Sequence, residues 1–203
     1  FFFSKISSSD DDNNYDLNRH FSFVNPPEDN RIIEFATRIS NSDFKQRLMK
    51  MEIGSLIEIN GPAGKFTLPP EGSELIMIAG GIGITPFISQ LRHIQNQKLN
   101  YKIKLLHFNN NKNSAPFYDV LEKFNASLNN FSFIPIMSEN ENWTGETGRI
   151  SQEIIQKYCQ EFSKPIFLIV GPPPMVEKTL TELKKLNISQ SNIRTEEFTG
   201  YKD

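Results

Sequence analysis

A glycine turn that follows an apolar run is the feature of this sequence with the clearest chemistry. Leu75 to Ala79 are continuously apolar, as in a strand buried on both faces of a parallel sheet. Gly81 and Gly83 follow, and glycine tolerates unusual backbone angles and leaves no side chain between the main chain and a ligand. We expect Thr85 to cap the next helix and Pro86 to lie in its first turn, so that free N–H groups face an anion. The turn predicts a nucleotide-phosphate site, although a merely tight strand-to-helix turn would use the same glycines.

Composition limits the classes of protein and site that are compatible with this chain. Its 203 residues are enough for one large or two small domains, and 37% of them are hydrophobic. The net charge of -2 provides no broad cationic surface for nucleic acid or an anionic membrane. The single cysteine, Cys159, excludes an intrachain disulfide, a cysteine zinc site and a four-cysteine iron–sulfur cluster within this chain. With no membrane-spanning apolar run and no signal-peptide pattern, a cytoplasmic location and no membrane insertion are expected.

Two patterns divide the chain at a turn-rich connection near Pro69 to Gly72. Before it, apolar and polar residues alternate, as they do in the half-buried strands of an antiparallel sheet. We predict a first domain over residues 1–72. Its predicted elements are strands over 33–39, 56–60 and 65–68 and a short helix with Ser42 at its cap and Phe44 on its buried face.

After the connection, strand patterns alternate with helical ones, which predicts a doubly wound parallel sheet over residues 73–203. Ligands of such sheets bind beyond the carboxyl ends of the strands, where Gly80 to Pro86 and Gly171 to Met175 should both lie. The predicted strands are 75–79, 103–108, 131–137, 166–170 and 193–198.

Three segments taken in order are more specific than any one of them. They are Arg19-His20-Phe21-Ser22, Gly81 to Pro86 and Gly171 to Met175, with Gly61 to Phe66 between the first two. In this set the sequence resembles the ferredoxin-NADP reductase family over nearly its whole length. The resemblance implies an antiparallel Greek-key β-barrel that binds FAD, followed by the doubly wound parallel-sheet domain that binds NADH or NADPH. Because Phe1 opens directly as strand-like sequence, we expect that upstream barrel strands are missing.

The family pattern gives roles to the first segment, beside which ordinary structural roles remain open. Arg19 has a planar, always charged fork suited to the flavin pyrophosphate, but a surface arginine on a strand is the alternative. Phe21 stands where the family usually has tyrosine and would pack on the flavin, or it is a barrel-core residue. Ser22 would donate a hydrogen bond to flavin N5, or it is an ordinary strand serine. His20 belongs to the same segment and is assigned to the cofactor site with it.

The short helix of the first domain is a second candidate for the FAD pyrophosphate. The resemblance implies a serine-containing turn here, and the unpaired N–H groups at a helix start suit an anion. Simple capping explains Ser42 almost as well. Phe44 follows it, and Thr37 on the preceding segment is a further cofactor candidate.

In the second domain, Thr85 matches a family position that lies near both the flavin and the nicotinamide. The resemblance assigns the dinucleotide site to Gly81, Gly83, Thr85, Pro86, Gly171, Pro172, Pro173 and Met175. Many relatives carry cysteine just before the glycine that corresponds to Gly171, whereas this chain has Val170 there. An aromatic residue near the end, Phe198 or Tyr201, would cover the flavin, unless the chain simply ends in a strand and a tail.

One residue bears on the choice of nucleotide. Asn110 lies where NADPH-preferring relatives often place arginine, and an asparagine can bond a ribose hydroxyl but cannot neutralise a phosphate. This favours NADH, although Lys112 could still supply a charge.

The predicted function is hydride transfer from NADH or NADPH to FAD N5, with Ser22, Thr85 and Phe198 as the catalytic candidates. Electrons would pass to an external acceptor such as ferredoxin, flavodoxin or an oxygenase component. One alternative is a reductase module of a larger oxygenase or flavohaemoglobin-like protein. Another is a non-catalytic nucleotide-binding interaction module. The three histidines show no metal-ligand spacing, and no metal site is predicted.

Overall fold

The computed structural model describes residues 2–5, 18–139, 142–160 and 162–198. Its first sheet has three antiparallel strands in the order β2-β1-β3. These are β1 (Phe2–Lys5), β2 (Asn18–Phe21) and β3 (Glu58–Asn60). Helix α1 (Asp43–Lys50) lies between β2 and β3 in the chain. The predicted antiparallel barrel is thus present in part, as three strands of the described residues.

The strand predicted over 33–39 is wrong, because the backbone of this region bonds elsewhere. Asn25 Oδ1 accepts from the Glu34 N–H at 2.8 Å, and Val24 N–H donates to the Glu34 carbonyl. The Asn25 amide also donates to the Ile32 carbonyl at 3.1 Å. The side chain of Asn25 therefore folds residues 25–34 into a loop. The predicted strand 65–68 is likewise absent from the structure, and the strand predicted over 56–60 is shortened to β3.

The second sheet confirms the doubly wound prediction. Six parallel strands follow the order β7-β6-β5-β4-β8-β9. The strands are β4 (Glu74–Gly80), β5 (Lys102–Asn109), β6 (Phe131–Met137), β7 (Glu146–Thr147), β8 (Ile166–Gly171) and β9 (Ile193–Glu197). The helices are α2 (Thr85–Gln97), α3 (Tyr118–Ser127), α4 (Gln152–Cys159) and α5 (Pro173–Lys185), with 3-10 turns at Gly81–Ile84, Lys112–Ser114 and Gln190–Asn192.

Helices cover both faces of this sheet, which explains the continuous apolar run of β4. Leu75 and Met77 pack on one face in a core shared with Phe87 of α2. Ile76 and Ile78 pack on the other, in a core shared with α4 and α5. A strand with both faces covered needs apolar residues at every position.

One face of α2 joins the two sheets. Ser89 Oγ donates to the Asn25 carbonyl at 2.7 Å, and Arg92 Nη1 contacts both the Val24 carbonyl and the Glu34 carboxylate. His93 Nδ1 lies 2.7 Å from a carboxylate oxygen of Glu28. Arg92 and His93 lie three and four positions after Ser89 and so share a helix face with it. The loop that follows Ser22 is thereby fixed to the helix that follows the glycine turn. The division of the chain into domains at residue 72 stays a prediction.

Candidate active site

The glycine turn leaves β4 in a conformation that depends on two glycines for different reasons. Gly81 has a φ of 52°, in the left-handed region that favours glycine. Gly83 is needed for space, because a Cβ there would lie 2.8 Å from the Val170 carbonyl oxygen. Thr85 does not cap α2 as predicted: Ile84 is the N-cap, and Thr85 Oγ1 donates to the Ile82 carbonyl at 3.2 Å. Pro86 lies in the first turn, as expected.

A buried histidine forms a hydrogen bond with the glycine turn. His107 is fully buried at the end of β5, and its Nε2 lies 2.9 Å from the Gly81 carbonyl oxygen. Burial lowers the pKa of His107 to about 4, while the bond to Gly81 opposes this shift and the charge of Arg38 adds to it. The imidazole is therefore neutral near pH 7, and its Nε2–H donates to the turn.

Arg38 is a site residue that sequence reasoning missed. Its Nη2 donates to the Ser114 carbonyl at 3.1 Å and lies 3.3 Å from where a Cβ of residue 81 would be. It reaches the glycine turn from the segment before α1. Because this contact is created only by the fold, no local pattern in the sequence indicates it.

The second predicted turn packs against the first. Helix α5 starts at Pro173 with Pro172 at its N-cap. A Cβ on Gly80 would lie 2.3 Å from Met175 Sδ, so the methionine fills the space between the two turns. The Gly171 carbonyl accepts from the Phe198 N–H at 2.9 Å. Phe198 therefore lies at the same sheet edge, and Tyr201 lies outside the described residues.

The FAD candidates form an aromatic and cationic cluster. Arg19 and Phe21 are both buried, and the ring centroid of Phe21 lies 4.5 Å from Phe35 and 5.7 Å from Phe44. The Arg19 guanidinium carbon lies 5.7 Å from the Phe44 ring centroid. His20 is exposed and points to the opposite face of β2, away from this cluster.

Ser42 is placed as predicted, at the N-cap of α1, but its side chain does not cap the helix. Its Oγ is buried and has no hydrogen-bond partner among the described residues. A buried hydroxyl in this state calls for a polar ligand or water. Thr37 is half-buried, on the segment between Phe35 and Arg38.

A hydrogen bond joins the two parts of the site. Ser22 Oγ donates to Glu196 Oε1 at 3.0 Å, although the residues are 174 positions apart. Burial raises the pKa of Glu196, and the bond from Ser22 opposes this shift. Sequence reasoning missed Glu196. Its only signal in the sequence is its place in the final strand pattern, two residues before Phe198.

The remaining predicted residue, Asn110, is exposed just beyond β5. Among the described residues, no group of three His, Cys, Asp or Glu side chains could hold a metal ion. None of the helices described is long and apolar enough to cross a bilayer.

Comparison with known proteins places this geometry in a family. The family model for the oxidoreductase NAD-binding domain matches residues 77–181. The anthranilate 1,2-dioxygenase electron transfer component of Acinetobacter baylyi is 28% identical over 183 residues, which are 89% of this chain and 53% of that protein. A polypeptide of the Na(+)-translocating NADH-quinone reductase of Yersinia pestis is 27% identical over 202 residues, covering 90% of this chain and 49% of that polypeptide. The chain thus spans about half the length of these curated relatives.

Solved structures share the fold. A ferredoxin NADP+ reductase from Neisseria gonorrhoeae, crystallised with FAD and NADP, superposes with a TM-score of 0.80 at 23% identity, over 99% of this chain and 85% of that one. The cytochrome b5 reductase domain of Ulva prolifera nitrate reductase gives 0.77 at 18% identity, over 96% and 83%. With the family model matching more than half of its residues, the chain belongs to the oxidoreductase NAD-binding domain family, with a ferredoxin-NADP reductase-like fold.

Proposed function

We propose that this chain binds FAD and a nicotinamide dinucleotide, accepts hydride from NADH or NADPH at the flavin, and passes electrons to an acceptor outside the chain. FAD supplies the redox chemistry when bound, and the protein supplies binding, orientation and proton handling. Three relatives support this class by name: a dioxygenase electron transfer component, a component of an NADH-quinone reductase and a ferredoxin NADP+ reductase.

The first sheet and α1 carry groups that fit FAD. Arg19 offers two parallel charged donors for a diphosphate, and the buried Ser42 hydroxyl at the start of α1 offers another polar contact. Phe21, backed by Phe35 and Phe44, offers an aromatic surface for a flat ring. The glycine turn gives the second dinucleotide close access to the main chain, since Gly81 and Gly83 carry no side chains, and Arg38 adds a cation beside Gly81.

The bond between Ser22 and Glu196 is the observation that carries the proposal. It joins the hydroxyl that directly follows β2 to a carboxyl of β9, and we infer that the two cofactors would meet here. Because burial raises the pKa of Glu196, this carboxyl holds its proton at higher pH than an exposed glutamate. The hydrogen bond from Ser22 to Glu196 also gives a path along which a proton can pass between the two side chains.

Anaerobic stopped-flow mixing tests the function directly. The FAD-loaded protein should lose its flavin absorbance when mixed with NADH or NADPH. A folded protein that takes up neither FAD nor nucleotide would refute the proposal. A protein that binds the nucleotide without flavin reduction would instead be the non-catalytic module that the sequence also allows.

The flavin role of Arg19 has its own test. Arg19→Ala should raise the FAD dissociation constant about tenfold to a hundredfold, as expected for lost hydrogen bonds to a charged group. Arg31→Ala is the matched control, since its side chain is 86% exposed and pairs only with Asp29 among the described residues. Equal FAD affinity in both variants would contradict the assignment.

A further inference from the structure

The imidazole of His107 is directed at one peptide group of the glycine turn. Its Nε2 lies 2.9 Å from the Gly81 carbonyl oxygen, and because that oxygen can only accept, the contact requires a proton on Nε2. His107 Nδ1 is buried without a hydrogen-bond partner among the described residues, and an unpaired N–H there would be costly. Since burial lowers the pKa of His107 to about 4, the ring is neutral at pH 7 and donates through Nε2 alone.

The peptide group that follows Gly81 has its two polar atoms on opposite sides. Among the described residues only the bond from Gly61 to Pro62 is cis, so the Gly81 carbonyl and the Ile82 N–H point in opposite directions. With the carbonyl directed at His107, the Ile82 N–H points away from the imidazole. His107 is fully buried, whereas Gly81 and Ile82 are half-buried. The N–H therefore lies on the more open side of the turn.

The backbone of Gly81 does not hold this orientation by itself. Its φ of 52° is one of several conformations that glycine adopts with similar ease. The 3-10 turn Gly81–Ile84 is only four residues long, and hydrogen bonds in such turns have poorer geometry than in an α-helix. A reversed peptide would present the carbonyl oxygen where the Ile82 N–H now lies, and a carbonyl oxygen repels an anion. The hydrogen bond from His107 opposes this reversal.

We propose that His107 is a positioning residue for the dinucleotide, which keeps the Ile82 N–H, and not the Gly81 carbonyl oxygen, on the side from which the phosphate groups approach. This inference rests on the function proposed above and adds to its site a residue outside the glycine motif. The fully buried His107 acts through a single peptide group and does not itself touch the nucleotide.

Substitutions at His107 separate this role from packing. His107→Phe keeps a buried ring and removes the donor. It should raise the dissociation constant of the FAD-loaded protein for NAD+ or NADP+ at least about tenfold, as expected for loss of one hydrogen bond to a charged group. His107→Gln retains an N–H donor at the end of a side chain of similar reach, and its affinity should stay within about threefold of wild type. Calorimetric titration with the oxidised nucleotides measures binding without flavin reduction.

Leu106→Val is the matched control for a packing defect in the same strand. Leu106 is fully buried on the opposite face of β5, in the core shared with α4 and α5. Loss of a methylene group there should lower the melting temperature and leave nucleotide affinity unchanged. Nitrogen NMR of the wild-type protein with 15N-labelled histidine adds a second measurement, in which His107 should carry its proton on Nε2 at pH 7.

The proposal is overturned if His107→Phe binds the nucleotide as tightly as wild type, or if His107→Gln binds it as weakly as His107→Phe. A proton on Nδ1 in the wild-type protein overturns it even if His107→Phe does not fold. If wild type and His107→Phe bind with equal affinity, the proposed function stands and only the positioning role fails. If the wild-type protein binds neither NAD+ nor NADP+, the proposed function and this inference fail together.

Discussion

Gly83 offers the sharpest mutational test of the glycine turn, because its importance comes from space and not from backbone conformation. A Cβ on residue 83 would lie 2.8 Å from the Val170 carbonyl oxygen, 3.0 Å from the Val170 carbonyl carbon and 3.1 Å from Gly171 Cα. These are main-chain atoms of β8, which is hydrogen-bonded to β4 on one side and β9 on the other. They cannot rotate away as a side-chain tip would, so the turn itself must move by roughly 0.5 Å.

Overpacking of this kind costs about 1–3 kcal/mol. In a chain of this size that lowers the melting temperature by about 2–4 °C per kcal/mol. Displacing the turn also moves the N–H groups that would face the dinucleotide. We therefore expect Gly83→Ala to raise the NADH dissociation constant at least about tenfold, which corresponds to about 1.4 kcal/mol. Thermal unfolding and NADH titration of the same preparation measure the two effects together.

Gly54→Ala provides the control that separates stability from site geometry. Gly54 has a φ of 95° and nothing within 4 Å of its would-be Cβ, so the substitution strains the backbone by about 1–2 kcal/mol without a collision. It should lower the melting temperature and leave NADH affinity unchanged. The reasoning is refuted if Gly83→Ala binds NADH like wild type, or if both variants lose the same affinity.

Two further outcomes follow from groups of shifted pKa. Because the pKa of His107 is about 4 in the folded protein and 6.5 in its unperturbed state, acidification protonates the unfolded chain first. Stability should fall by an amount on the order of 3 kcal/mol between pH 6.5 and about pH 4. This loss should be absent in His107→Gln, and urea unfolding across that range detects it; an unchanged pH dependence would contradict it. Burial raises the pKa of the Cys159 thiol to about 11, against the opposing charge of Lys104. Iodoacetamide should therefore label the native protein at least about tenfold more slowly than the unfolded chain, and equal rates would show that the thiol is not shielded.

The parallel sheet could be predicted from the sequence, because its strands are buried on both faces. β6 has the predicted bounds, and β4 and β5 differ from prediction by one residue at each end. The loop over 25–34 could not be predicted in this way. The alternation between Ile33 and Ile39 suggests a strand, but the Asn25 side chain takes backbone partners of this segment. Tertiary hydrogen bonding overrides the local pattern.

The same difference between local patterns and tertiary contacts applies to the residues of the candidate site. Gly81 and Pro86 could be found from sequence because their roles in the turn are local, whereas the requirement for glycine at residue 83 comes from the distant Val170 carbonyl. Arg38 and Glu196 could not, since each acts on residues far away in the chain: Arg38 reaches Ser114, and Glu196 accepts from Ser22. Thr85 is recognisable as a turn residue, but not the direction of its hydrogen bond. Both its hydroxyl and its N–H donate back to the Ile82 carbonyl, so Thr85 completes the 3-10 turn and does not cap α2.

The contacts along α2 explain how so distant a pair as Ser22 and Glu196 keeps its geometry. Helix α2 starts at the glycine turn, and one side of it holds the loop that follows Ser22 through Ser89, Arg92 and His93. Each such bond contributes only about 0.5–1.5 kcal/mol, but several acting together exceed the thermal energy of about 0.6 kcal/mol many times. The loop is therefore held to the helix at several points. A displacement between the two sheets must break these contacts before it can lengthen the bond from Ser22 to Glu196, so this face of α2 helps to hold that pair together.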